Sequence, residues 1–137
     1  MKKIYIINGP NLNMLGKRDA GLYGSESLDV INAGIASSFP ETEFVFLQSD
    51  IEGEIVSYIH KADGSDGIVL NAGAYSHYSY AIRDAIEAVS TPCVEVHMTN
   101  IYAREQFRRT SVLTEVCRGS ISGFGSKSYM LAVEALI

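Results

Sequence analysis

The sequence predicts a single α/β domain, spanning residues 1–137, that is built on a parallel sheet of five strands. Five short apolar runs recur along the chain, and segments with helical periodicity separate them. Runs such as 67–71 (GIVLN) and 92–97 (PCVEVH) are almost continuously apolar, which indicates strands that are buried on both faces. Strands that alternate with helices form βαβ units, and such units give a parallel sheet covered by helices on both sides.

The first strand is predicted over 3–8, and a long polar loop, 9–24, follows it directly. Ser25 is a suitable cap for a helix that continues to about residue 38. The apolar positions that give this helix its spacing are Leu28, Ile31, Ile35 and Phe39.

The second strand is predicted over 43–48 because this run is rich in Phe, Val and Leu. A helix that begins at Asp50 or Ile51 follows it, and Gly64 is placed to end that helix. The third strand is the run 67–71.

The remaining strands are predicted over 92–97 and 116–122. Helices are predicted over 78–89 and from about 126 to residue 137. Five strands in a chain of this length favour a doubly wound, three-layer sandwich of the flavodoxin-like type. Its crossover connections should be right-handed.

Composition excludes several classes of function. The net charge of −5 argues against general nucleic-acid binding, which needs a basic face. No apolar run approaches the roughly 20 residues that span a bilayer, and the first residues lack the pattern of a signal peptide. We therefore expect a cytoplasmic protein with neither a membrane nor a nucleic acid as partner.

The cysteines and histidines do not show the spacing of a metal site. Cys93 and Cys117 lie in apolar, strand-like settings that are typical of buried free thiols, although the sequence leaves a disulfide between them open. His60, His77 and His97 have no partners at metal-ligand spacing, so no metal is expected.

Three arginines, Arg104, Arg108 and Arg109, lie within six positions of one another. Such a cluster is most simply a solvated helix face. In an acidic protein it also suits a small anionic ligand such as a carboxylate.

Polar side chains gather where the predicted strands end. Asn8 ends the first strand, Asn71 ends the third, and His77 follows in the next loop. Because the carboxyl ends of parallel strands lie at one edge of the sheet, these groups could converge on one crevice. Taken singly, Asn71 could instead serve a turn and His77 could be a surface residue.

Glu95 and His97 are two residues apart in the fourth strand, so they share one face of it. A carboxylate between two valines is costly to bury unless it is paired. A glutamate that orients a neighbouring histidine would offset this cost and would yield a tuned acid. We therefore favour a functional role for this pair.

Arg18 and Tyr23 form a second pair, in the long loop. A free tyrosine ionises only near pH 10, so it can act as a base only with help from a nearby cation such as a guanidinium. Spacing alone favours an exposed arginine and a packed tyrosine.

As a whole the chain resembles the type II 3-dehydroquinate dehydratases, and the resemblance covers nearly its full length. The segments that carry it are GPNLNMLG, KRDAGLYG, QSDIEGE, IVLNAGAYSHYSYAIRDA, TPCVEVHMTNIYAREQFR and ISGFGSKSYMLA. The family has a flavodoxin-like fold. It removes water from 3-dehydroquinate in an anti elimination through an enolate, with no cofactor and no Schiff-base lysine.

The resemblance implies a role for each of the candidate catalytic residues. Tyr23 resembles the base that removes the proton next to the ketone, and Arg18 the charge that keeps this tyrosine ionised. Asn11 resembles the residue that stabilises the enolate. His97 resembles the acid that protonates the departing hydroxyl, and Glu95 the residue that tunes it.

The resemblance also implies the substrate-binding residues and the assembly. Asp84 matches an acid that reaches the active site of a neighbouring subunit, in a family whose trimers associate into dodecamers. The other matching positions are Asn71, His77, Met98, Thr99 and Arg108.

The sequence departs from the family pattern at a few positions. Ala20 stands where the loop usually has a proline, which should loosen the open loop. Asp50 and Ile51 replace a usual Asn-His pair, Arg109 stands where a histidine is common, and Thr99 replaces a serine.

Two alternatives belong to other classes of protein. One is a flavodoxin-like module that binds a small ligand or nucleotide without this chemistry, although residues 9–16 lack a phosphate-binding glycine pattern. The other is an inactive homologue with a structural role, although Arg18, Tyr23, Glu95 and His97 are all retained.

Overall fold

A computed structural model describes all residues, 1–137, and shows one five-stranded sheet in the order β2-β1-β3-β4-β5. Every neighbouring pair of strands is parallel. The predicted α/β class with a flavodoxin-like, doubly wound sheet is therefore confirmed. The strands are β1 (Lys2–Asn8), β2 (Thr42–Gln48), β3 (Gly67–Asn71), β4 (Cys93–His97) and β5 (Gly119–Ser122).

Helices cover both faces of the sheet, which gives the predicted three layers. None of them combines the length and the apolar character that crossing a membrane would require. The helices are α1 (Ala20–Tyr23), α2 (Leu28–Ser38), α3 (Glu52–Lys61), α4 (Tyr80–Ala88) and α5 (Lys127–Leu136).

Each face of the sheet has its own apolar core, because alternate side chains of each strand point to opposite faces. Ile4 and Ile6 of β1 pack towards α2 and α5, whereas Tyr5 and Ile7 pack towards α3 and α4. All residues of β3 and β4 are buried, as their continuous apolar character predicts.

Some element boundaries differ from the prediction. The cap of α2 is Ser27, whose hydroxyl accepts from the amide of Val30, and not Ser25. The predicted strand 116–122 begins only at Gly119, because residues 114–116 form a short 3-10 turn. Cys93 and Cys117, between which the sequence leaves a disulfide open, are both free thiols.

The strand order reverses direction between β1 and β3, and their carboxyl ends approach very closely there. A Cβ at Gly9 would lie 2.6 Å from the carbonyl oxygen of Ala72, so only glycine fits at this position. In doubly wound sheets the crevice at this reversal is where ligands bind.

Candidate active site

A cavity of about 120 Å³ lies at the carboxyl ends of β1, β3 and β4. It is smaller than the roughly 300–1,000 Å³ of drug-sized pockets, so it suits a small polar ligand. Its lining residues are Pro10, Asn11, Leu12, Arg18, Tyr23, Asn71, Gly73, Ala74, His77, His97, Met98, Thr99, Ile101, Arg104 and Arg108.

The structure brings the predicted site residues together around this cavity, with two exceptions. Glu95 does not line it but lies behind His97, fully buried in β4. Asp84 lies on the exposed side of α4, outside the cavity of its own chain.

The loop over the cavity runs from Gly16 to Gly24, both of which have positive φ values (90° and 83°) that suit glycine. Between them, Asp19 caps the one-turn helix α1 by accepting from the amide of Gly21 at 3.0 Å. Gly21 lies inside this helix. This loop, residues 16–24, therefore has a defined local structure with a glycine at each end, and we call it the lid.

Within this lid, Arg18 and Tyr23 are in direct contact, although spacing alone favours their separation. The guanidinium Nη2 of Arg18 donates to the Tyr23 hydroxyl oxygen at 2.9 Å. Its Cζ atom also lies 3.9 Å from the centroid of the tyrosine ring. A cation in this position stabilises negative charge on the tyrosine oxygen.

Arg104 also contacts the lid, although the sequence pattern predicts it only as a member of the arginine cluster and not as a site residue. Its Cζ atom lies 5.3 Å from the centroid of the Tyr23 ring, and its Nη1 donates to the Thr99 hydroxyl at 3.4 Å. The local cluster of arginines was the signal that could have identified it. With Arg18 and Arg108 it gives the lining three guanidinium groups and no carboxylate.

His97 is held by Glu95 from the side away from the cavity. The ring Nε2 lies 2.5 Å from the carboxylate Oε2 of Glu95. Burial opposes ionisation of Glu95, but the hydrogen bond and charge of His97, with hydrogen bonds from Thr114 and Ser111, hold the pKa of its carboxyl below the usual value. An ionised Glu95 makes Nε2 the donor, which leaves Nδ1 of His97 free for a ligand.

His77 stacks beside His97, with ring centroids 6.1 Å apart and planes inclined by 17°. Its Nδ1 lies 2.8 Å from the carbonyl oxygen of Thr110, so Nδ1 carries the proton. Burial and the charges of His97 and Arg108 lower the pKa of His77, despite the hydrogen bond to Thr110. The neutral ring therefore has Nε2 as an acceptor.

Asn11 is the only residue other than glycine with a positive φ, 69°. Asparagine tolerates this left-handed conformation, and strained residues often mark functional sites. The carboxylate of Asp50 fixes the turn, because its Oδ1 accepts from the Asn11 amide at 3.0 Å and from Gln48 Nε2 at 3.2 Å. The departure from the family pattern at Asp50 thus supports the position of Asn11.

Below the cavity, a buried tyrosine ties two asparagines together. The Tyr129 hydroxyl donates to Asn8 Oδ1 at 2.6 Å and accepts from Asn71 Nδ2 at 2.9 Å. Asn71 Oδ1 in turn accepts from the amide of Gly73, so this residue serves the turn as well as the cavity. Burial raises the pKa of Tyr129, which keeps its hydroxyl neutral and able to donate.

Two backbone amides complete the site. Met98 and Thr99 directly follow β4, are buried, and line the cavity. Their N–H groups make no hydrogen bond within the protein. Buried amide donors of this kind need an acceptor, which an anionic ligand would supply.

The arrangement can therefore hold a small anion among arginines and amides, between a tyrosine that can carry charge and a histidine that can donate a proton. No three of the His, Cys, Asp and Glu side chains cluster in a way that could hold a metal ion.

Comparison of the sequence with known families and proteins gives a consistent result. The profile of the family described as dehydroquinase class II matches residues 2–137. A 3-dehydroquinate dehydratase from Pelodictyon phaeoclathratiforme is 54% identical, and the match covers 98% of this chain and 91% of the relative. One from Caldicellulosiruptor saccharolyticus is also 54% identical, with 99% and 97% covered.

Solved structures also resemble the chain. The type II dehydroquinase from Butyrivibrio crossotus superimposes with a TM-score of 0.96 at 46% identity, and covers 98% of this chain and 97% of that one. A 3-dehydroquinate dehydratase-like protein from Bifidobacterium longum is more distant, with a TM-score of 0.70 at 30% identity, and 99% and 95% are covered.

We expect Tyr129→Phe to destabilise the protein by about 2–3 kcal/mol, because it leaves a buried acceptor on Asn8 and a buried donor on Asn71 unpaired. Urea unfolding would measure this loss. The control is Tyr5→Phe, since Tyr5 is also buried but its hydroxyl makes no hydrogen bond within the protein. A loss of stability no larger than that of the control would contradict the role of the Tyr129 hydroxyl.

Proposed function

Because this chain belongs to the class II dehydroquinase family, we propose that it converts 3-dehydroquinate to 3-dehydroshikimate by elimination of water. The observation that carries the proposal is the Arg18–Tyr23 pair, which faces the same cavity as His97 of the Glu95–His97 pair. One pair supplies a base and the other an acid, as the elimination requires.

In the first step, Tyr23 is the base. Its ionised oxygen takes the proton from the carbon next to the ketone, and the electron pair of that bond moves to the ketone oxygen to form an enolate. Arg18 stabilises the phenolate by its hydrogen bond of 2.9 Å and by its position against the ring. Arg104, which lies beside the same ring, adds a second positive charge.

In the second step, the enolate collapses and the hydroxyl leaves. Asn11 stabilises the negative enolate oxygen, in the manner of an oxyanion hole. His97 gives the proton on Nδ1 to the departing hydroxyl, which leaves as water. The ionised Glu95 stabilises the imidazolium that this step requires and fixes the ring orientation.

The substrate carboxylate has a natural position in the cavity. The free amides of Met98 and Thr99 and the guanidinium of Arg108 are suitable donors for it. Asn71 and His77 bind hydroxyl groups, since each presents a polar side chain to the cavity. No lysine lines the cavity, which supports an elimination without a Schiff base.

The assembly is part of the proposal. Asp84 is exposed on α4, as a residue that reaches the cavity of a neighbouring subunit must be. Trimers that associate into a dodecamer, and a cytoplasmic location, remain predictions. Sedimentation analysis of the purified protein would test the assembly.

Turnover is tested by mixing the purified protein with 3-dehydroquinate and following the ultraviolet absorbance of the conjugated ketone. We expect activity, and we expect Tyr23→Phe to lower kcat by at least about a thousandfold while binding survives, because the base alone is removed. Calorimetric titration would measure binding. Failure of the folded, assembled parent protein to turn over substrate would contradict the proposed function.

Replacement of Arg18 by alanine should lower kcat and move the rising limb of the pH–rate profile to higher pH. The reason is that the phenolate loses its hydrogen-bonded cation. Lys17→Ala is the matched control, because Lys17 is the neighbouring lid cation and does not line the cavity. An Arg18→Ala profile with the parent's rising limb would contradict the role of Arg18.

Ala20→Pro should lower KM about two- to fivefold, the equivalent of the roughly 0.4–1 kcal/mol gained when a compatible proline restricts the open chain. Ala20 is the first residue of α1, where proline is favoured, and its amide donates no hydrogen bond. Ala20→Gly should have the opposite effect. Steady-state kinetics would measure both, and equal KM values would show that lid entropy does not limit binding.

A further inference from the structure

The Glu95 carboxylate has more partners than His97. Its Oε2 also accepts from the Ser111 hydroxyl at 2.7 Å, and its Oε1 accepts from the Thr114 hydroxyl at 2.5 Å. Both hydroxyls lie in the segment 110–114, which follows the arginine cluster. Neither residue lines the cavity, so neither contacts the substrate.

The direction of the Ser111 bond is set by the backbone. The Ser111 oxygen already accepts from the amide of Leu113 at 3.1 Å, so its own proton is left for Glu95. Thr114 begins the 3-10 turn that precedes β5, and its carbonyl accepts from the amide of Cys117. Hydroxyl groups held in this way favour an ionised carboxylate as the acceptor.

The same segment is anchored to the loop of the second histidine. The amide of Val112 donates to the carbonyl oxygen of Ser76 at 2.8 Å, and the carbonyl of Thr110 contacts His77. The hydroxyls of Ser111 and Thr114 are therefore presented from a fixed backbone.

Few other charges act on Glu95. His97 and the Cys93 thiol lie on its own strand, and His77 lies on the loop after β3. Arg108 adds a positive charge beside His77. No arginine or lysine pairs with the carboxylate, so its hydrogen bonds come from His97 and the two hydroxyls alone.

We propose that Ser111 and Thr114 are positioning residues for the reaction, whose hydroxyls hold the Glu95 carboxylate ionised and aimed at Nε2 of His97. The inference rests on the proposed function only in that His97 is the acid. Without these donors, an isolated buried carboxylate would take up a proton more readily and would support the imidazolium less.

Thr114→Val tests the proposal, because it removes the hydroxyl and keeps the shape. We expect kcat to fall about tenfold with KM within about twofold, and the alkaline limb of the kcat profile to move to lower pH by about one unit, because the imidazolium of His97 is supported less. Thr114→Ser, which keeps the hydroxyl, should restore both. Ser120→Ala is the control, since Ser120 is in register with Glu95 on β5 but makes no hydrogen bond to it.

A second measurement is independent of turnover. With ¹³C-labelled glutamate, the carboxyl resonance of Glu95 should titrate at higher pH in Thr114→Val and in Ser111→Ala than in the parent protein and in Ser120→Ala. Unchanged titration in both variants would overturn the proposal, even if the parent protein is active. If the titration shifts in the variants but the parent protein does not turn over substrate, the positioning of Glu95 is upheld and only the proposed reaction is rejected.

Discussion

The Glu95 carboxylate lies in the middle of β4 with none of its surface exposed, and an ion in that position must be neutralised by partners within the protein. His97 meets this requirement from the cavity side, and the segment 110–114 meets it from behind. Residues 114–116 form a 3-10 turn before β5, and the hydroxyl of Thr114 at the start of this turn donates to the carboxylate.

A second constraint is the contrast between the whole chain and its cavity. The chain carries a net charge of −5, whereas the cavity lining contains three arginines and no acidic side chain. Glu105 pairs with Arg108 at 3.2 Å on the outside of the cavity, so the arginines are oriented without losing their charge to it. An anion is thus attracted to one place on a surface that otherwise repels it.

Much of this could be predicted from the sequence, because strand ends and apolar runs are local features. The sheet, its helices and the convergence of Asn71, Glu95 and His97 follow from hydrophobic periodicity and from the geometry of parallel strands. The contact between Arg18 and Tyr23 does not, since spacing alone favoured their separation. The catalytic roles that we propose for them come from the resemblance to a family.

Other parts of the site could not have been predicted from local pattern. Tyr129 occupies an apolar face of α5, and its partner Asn8 is 121 residues away in the sequence. In the sequence, Ser111 and Thr114 look like ordinary loop residues. They lie 16 and 19 positions after Glu95, and only the tertiary structure places their hydroxyls against its carboxylate. Boundaries such as the Ser27 cap depend on one hydrogen bond, which spacing does not resolve.

The bond between Tyr129 and Asn8 also has a consequence for the order in which the molecule is made. During synthesis the first strand and the lid leave the ribosome well before α5, yet the floor of the cavity lacks its central hydrogen bonds until α5 packs. Contacts of such long sequence separation form late, because the chain must first close a large loop. A nascent chain that lacks α5 would therefore contain the cavity residues without their final alignment. The cavity would become able to bind its ligand only when α5 packs.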